Sequence, residues 1–225
     1  MSGPSSAPVL RMTGICKSFG ATRALDDVSF DLERGEVRAL LGENGAGKST
    51  MMKILSGAIR PDAGRMAIDG TPYAPVSPLD GFRCGVSMIY QELNLAPHLT
   101  VEENLTLGRE DHSAGWLSRG LMRQRVREAL ELVHHPEISP EIPVRDLSVG
   151  AKQVVEITRA LMNKSRILVM DEPTSSLSQE DSALLFEIIG RLKTQDVSII
   201  YISHFLEEVQ QVADSYTGVR DGRKG

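Results

Sequence analysis

Along residues 9–33 apolar and polar side chains alternate, most clearly where Ser29 and Asp31 separate Val28, Phe30 and Leu32. A period of two marks strands with one buried face. Residues 36–41 form a short, mostly apolar run that reads as a further strand. From Thr50 the spacing changes, and Met51, Ile54 and Leu55 fall on one face of a helix. Residues 65–73 read as a hairpin around Asp69-Gly70, and residues 86–90 as another short strand. The middle of the chain is helical in character. Helices are expected over 101–107 and 121–135, the second with Met122, Val126, Leu130 and Val133 on one face. Pro136, Pro140 and Pro143 then mark an irregular connection.

The pattern resumes with a helix over 148–162, on which Val154, Ile157 and Leu161 align. A strand over 167–170, a helix over 179–193 and a strand over 197–202 follow. Strands alternating with helices predict an α/β fold with a mostly parallel, helix-covered sheet. The helical stretch at about 92–148 is expected to be an insertion into that core. Residues 1–8 are rich in Ser, Pro and Ala and are expected to form a loose tail.

At 225 residues the chain suits one domain able to bury a full core. Its 25 basic and 30 acidic residues give a net charge of −5, so no electrostatic case exists for a nucleic-acid partner. Cys16 and Cys84 form no metal pattern and are read as reduced thiols of a cytoplasmic protein. The apolar runs are too short to span a bilayer, so any membrane crossing must come from another chain.

The strongest chemical signal is Gly42-Glu43-Asn44-Gly45-Ala46-Gly47-Lys48-Ser49-Thr50, a phosphate-binding loop between a strand and a helix. Gly42, Gly45 and Gly47 let backbone N–H groups converge on an anion. Lys48 supplies a point charge for the β- and γ-phosphates, and the Ser49 hydroxyl can ligate Mg²⁺. The second signal is Asp171-Glu172 at the C-terminal end of an apolar strand, where open α/β sheets bind ligands. Asp171 is placed to hold Mg²⁺, and Glu172 to orient or deprotonate a water. An acidic pair capping the next helix is the plainer alternative.

With Leu147-Ser148-Val149-Gly150-Ala151-Lys152-Gln153 ahead of that strand, the chain resembles the ATP-binding subunits of ABC transporters. The resemblance runs over residues 9–225. It implies a P-loop NTPase fold with a RecA-like mixed or parallel sheet core, an N-terminal antiparallel β subdomain and an inserted α-helical subdomain. Within it, Ser148 and Gly150 belong to the signature that meets the γ-phosphate of ATP held by an opposite domain. Otherwise these residues only begin an N-capped helix. Gln91 matches the loop glutamine that senses Mg²⁺ and the attacking water, and His204 the switch histidine that donates to the γ-phosphate. Phe19, in Lys17-Ser18-Phe19-Gly20, matches the aromatic that stacks on adenine, with a core phenylalanine as the alternative. Ser175-Ser176-Leu177-Ser178 occupies the loop that touches the partner domain. His98, His112, His134 and His135 are expected at the surface.

Residues 90–95, 105–110 and 148–161 narrow the resemblance to ATPases of monosaccharide importers, which carry two nucleotide-binding domains in one polypeptide. This chain would be the first. Val149, Ala151, Ser178 and Phe205 depart from the common pattern. The pattern also continues past Gly222, which implies a piece of a longer chain or a short gene product. ATP and Mg²⁺ are the implied ligands. Permease subunits, a second nucleotide-binding domain and, indirectly, a sugar-binding protein are the implied partners, at the cytoplasmic face of the cell membrane. A soluble ABC ATPase of DNA repair or ribosome function is the competing reading, disfavoured by the charge and by the lack of sustained heptads before Asp171. A small-molecule kinase would not need Ser148 and Gly150.

Overall fold

The computed structural model describes residues 7–43, 45–107, 119–220 and 222–224. Asn44, His112 and residues 1–6 lie outside the described residues. Two compact units are present. The first takes its described residues from Met1–Met88, Ser165–Glu172 and Leu192–Gly225, and the second from Ile89–Lys164 and Pro173–Arg191.

The first unit contains two sheets. In one, β1 (Leu10–Phe19), β2 (Thr22–Leu32), β4 (Ala63–Ile68) and β5 (Thr71–Tyr73) pair in the order β2-β1-β4-β5. Its pairings are antiparallel. The alternation read from the sequence sets the register: Met12 lies opposite Phe30 and Leu10 opposite Leu32, all four buried. Asp69 and Gly70 both take positive φ, 48° and 73°, as the tight hairpin between β4 and β5 requires.

The other sheet has the order β10-β9-β3-β8-β7-β6. Its strands are β3 (Val37–Leu41), β6 (Val86–Ile89), β7 (Ile167–Asp171), β8 (Ser198–Ile202), β9 (Ser215–Arg220) and β10 (Arg223–Lys224). β3 runs parallel to β8 and β9, and β7 to β8, while β10 turns back antiparallel on β9. The sheet is therefore mixed. β8 is buried at every position and β7 at all but its last, as expected for strands covered on both faces. Helix α1 (Lys48–Leu55) places Met51, Met52, Ile54 and Leu55 in the same core as β1, β2, β7 and β8.

The second unit packs α3 (Val101–Thr106), α4 (Arg119–Leu132) and α5 (Val149–Met162) together and also contains most of α6 (Gln179–Thr194). A capping box starts α3: Thr100 accepts from the Glu103 N–H while Glu103 accepts from that of Thr100. α4 stops at Leu132, short of the expected 135, because His134 turns left-handed with φ 59°. His135 is thereby folded inward. It is only 8% exposed, with Nδ1 2.6 Å from the Glu137 carboxylate, which corrects its expected surface position. His98 and His134 are exposed as expected.

Several short elements were not foreseen. The helix α2 (Pro78–Arg83) is a single capped turn, too short for a periodic signal, although Ser77 caps it and Pro78 opens it. The short helix α7 (Leu206–Val212) follows His204, and β9 carries too mixed a pattern to stand out from a loop. Among the described residues no helix is long and apolar enough to cross a membrane.

Candidate functional site

The glycine loop follows β3 and ends in α1, so it lies at the C-terminal edge of a parallel strand. Gly45 and Gly47 have φ of 85° and 103°, a region that side chains strongly disfavour. Gly47 is the N-cap of α1 and offers no capping side chain, so backbone N–H groups at the helix start face the loop. Neighbouring strands fix the loop closely. A Cβ on Gly47 would stand 2.6 Å from the Ala24 carbonyl, and one on Gly42 would overlap the Val219 carbonyl of β9. Gly42→Ala is expected to force the loop away from β9, at a cost of about 1–3 kcal/mol. Thermal unfolding, followed beside nucleotide titration, checks this: both stability and binding fall.

Lys48 is 7% exposed and donates through Nζ to the Gly42 carbonyl and, at 3.0 Å, to that of Glu43. Its ammonium is thus held across the loop. Ser49 is exposed at the second position of α1. A cleft of about 150 Å³ joins Glu43, Gly45, Gly47, Lys48, Ser49 and Thr50 to Asp171, Glu172 and Ala24. Ala46 is buried beneath the loop. Ala24 was missed in the sequence, where nothing local links a β2 residue to a loop some twenty positions later.

Asp171 ends β7 half-buried. Burial, and then the Glu172 carboxylate, hold its carboxyl above the usual carboxylate range, while Lys48 and Lys53 pull it down. The Ser49 hydroxyl and the Asp171 carboxylate are hard oxygen donors in one cleft. Mg²⁺ commonly takes one or two carboxylates and completes its shell with phosphates and water, so these residues fit it. Among the described residues no group of three or more His, Cys, Asp or Glu could hold a metal.

Glu172 has a left-handed φ of 45°, unusual for a side chain of its size, and its N–H donates to the Ile202 carbonyl at 3.0 Å. Such conformations cost about 1–3 kcal/mol and cluster at functional sites. Its Oε1 lies 3.2 Å from Nδ1 of His204. The parallel register of β7 and β8, with Asp171 opposite Ile202, brings the two together. The turn bearing His204 is itself braced. Glu208 accepts hydrogen bonds from Tyr201 at 3.0 Å and Ser203 at 2.9 Å, and Ser203 accepts from the Phe205 N–H at 3.0 Å. The His204 and Phe205 ring centroids are 3.9 Å apart.

Phe19 ends β1 with half its surface exposed, and Lys17 Nζ sits 5.7 Å from its ring centre. The core alternative for this residue is thereby removed. In the second unit, Ser148 caps α5 by accepting from the Ala151 N–H at 3.1 Å. Gly150 is buried, and a Cβ there would overlap the Asp181 carboxylate. A side chain at this position would therefore have to turn the Asp181 carboxylate aside. Gln91 is exposed just after β6.

Residues 25–175 match the ABC transporter family. The chain is 49% identical over 216 residues to a ribose import ATP-binding protein of Rubrobacter xylanophilus, covering 96% of this chain and 43% of that protein. It is 44% identical over 218 residues to an arabinose import ATP-binding protein of Chromohalobacter salexigens, covering 97% and 44%. It therefore spans less than half the length of these curated relatives. Among solved structures, the ADP conformation of an ATP-binding cassette of an ABC transporter aligns with a TM-score of 0.86 at 26% identity, covering 97% of this chain and 89% of that one.

Proposed function

The chain belongs to the ABC transporter family, and from that premise we propose that it binds and hydrolyses ATP to energise import of a monosaccharide. The observation that carries the reading is the convergence of Lys48, Ser49, Asp171 and Glu172 on one cleft beneath a glycine loop. The sugar-import assignment rests on the two relatives, whose names specify ribose and arabinose import.

In this reading the loop N–H groups and the start of α1 hold the β- and γ-phosphates, and Lys48 shifts from loop carbonyls to phosphate oxygens. Residues Gly42, Glu43, Asn44, Gly45, Ala46, Gly47, Lys48, Ser49 and Thr50 form this cradle, and Phe19 stacks on the adenine. Ser49 and Asp171 would hold Mg²⁺, with Gln91 as the further ligand that the family resemblance implies. Mg²⁺ held there would supply positive charge that neutralises the phosphates. Glu172 takes a proton from water as the water oxygen bonds to the γ-phosphorus. The bond to the β,γ-bridging oxygen breaks, leaving ADP and phosphate. His204 orients Glu172 and donates to the γ-phosphate. Catalysis is then mainly positioning and charge stabilisation.

The site is one half of a pair. Ser148 and Gly150 serve a nucleotide held by a second nucleotide-binding domain, supplied by another copy or by the remainder of a longer chain. Integral-membrane permease subunits receive the motion at the cytoplasmic face of the cell membrane, and a sugar-binding protein acts with them indirectly. Nucleic acid is not a partner in this reading. The test is the fate of the γ-phosphate. Incubation with Mg-ATP and ribose or arabinose is expected to release free inorganic phosphate and leave the sugar unmodified. A sugar phosphate formed in step with ADP, without free phosphate, would replace the transport ATPase with a kinase.

A further inference from the structure

The four-stranded sheet bears a second cleft, of about 300 Å³, that shares no residue with the phosphate loop. Its floor is apolar. Met66 and Tyr73, opposed in register on β4 and β5, are 7% and 6% exposed, and Pro75 is buried beside them. Val76 stands at the rim, 62% exposed. Arg60 and Arg65 line the same cleft, both exposed, and among the described residues neither side chain has a hydrogen-bond or ion-pair partner. Among the described residues, no acidic one lines it. Elsewhere in this unit Arg11, Arg34 and Arg166 are matched with carboxylates, while the exposed Arg83, like Arg60 and Arg65, is not. What sets Arg60 and Arg65 apart is that both guanidinium groups meet at one apolar cleft, in a chain of net charge −5.

We infer that this cleft binds a small amphipathic oxyanion, a carboxylate or phosphate group carried on an apolar tail. Guanidinium forks match both head groups in bidentate geometry. The floor of Met66, Tyr73 and Pro75 supplies the apolar surface that ligand pockets of this size use. The floor is fixed in place. Tyr73 donates its hydroxyl to the Leu55 carbonyl at 2.7 Å, and Gly57, with φ 81°, packs so closely that a Cβ would stand 2.7 Å from Pro75. A preformed wall lowers the ordering cost of binding. Tyr73 also ties the cleft to the end of α1, the helix that starts at the phosphate loop. The inference goes beyond the nucleotide reading and stands without it.

Titration calorimetry on the full chain, with octyl phosphate and octanoate as probes, tests it. At least one should bind saturably at one site, and their ratio distinguishes a phosphate from a carboxylate head. Replacing both arginines, Arg60→Glu with Arg65→Glu, should weaken binding at least about tenfold, and Val76→Asp, which leaves the arginines in place, should also weaken it. Lys48→Ala should leave this binding unchanged, which separates it from any failure of the nucleotide site. No saturable binding of either probe at millimolar concentration would overturn the inference. So would equal binding of octylamine, equal binding of inorganic phosphate, or binding indifferent to the arginine changes.

Discussion

Glu172→Gln should lower the rate of ATP hydrolysis by about two to four orders of magnitude, the range for loss of a positioned general base, while ATP still binds. The amide keeps the shape and hydrogen-bonding reach of the carboxylate but cannot take a proton from water. The left-handed backbone at Glu172 and its N–H bond to Ile202 do not depend on the carboxylate, so the fold should persist. A second signature accompanies the first. The Glu172 charge raises the Asp171 pKa, so neutralising it should bring Asp171 down toward the usual carboxylate range. Steady-state phosphate release measures the rate, and carboxyl-resolved NMR titration follows Asp171. Unchanged hydrolysis would remove Glu172 from its proposed role.

Lys48→Ala should weaken ATP binding by about a hundredfold, near 3 kcal/mol, the upper range for a hydrogen bond to a charged group. Lys48 is nearly buried and is held by two loop carbonyls, so its ammonium is aimed at the cradle before any ligand arrives. Truncation removes both the charge and the brace between Gly42 and Glu43. Fluorescent-nucleotide titration separates these losses. Lys48→Arg, which keeps the charge but not the reach, should recover only part of the affinity. Equal affinity in Lys48→Ala would place the nucleotide elsewhere.

The loop was legible in the sequence because strand, glycine turn and helix are contiguous, and each reads from its own residues. Asp171-Glu172 was legible for a similar reason, as a carboxylate pair ending an apolar run. What sequence could not place were the contacts made across strands. The meeting of His204 with Glu172 follows from the pairing of β7 with β8, and their register is a property of the whole sheet. The approach of Ala24 to Gly47, and of Val219 to Gly42, likewise depends on β2 and β9 arriving from distant parts of the chain. Periodicity captured the α/β layout, since the buried strands and amphipathic helices were found where their patterns were strongest, while the P-loop NTPase assignment followed from the family resemblance. His135 shows the opposite case. A single left-handed residue, His134, ended the helix early and turned a nominally exposed position inward.

In the proposed function the site is composite: the loop holds a nucleotide in cis, and a second domain completes it with residues equivalent to Ser148 and Gly150. Glu172→Gln isolates this claim, because it should trap the closed state before hydrolysis. Its mass in solution, measured by light scattering with and without Mg-ATP, is the most direct test. Where another copy supplies the second domain, the mass is that of one chain without nucleotide and of two chains with it. The mass of one chain throughout, with ATP shown to be bound, would rule out another copy of this chain as the completing domain and leave only the remainder of a longer chain.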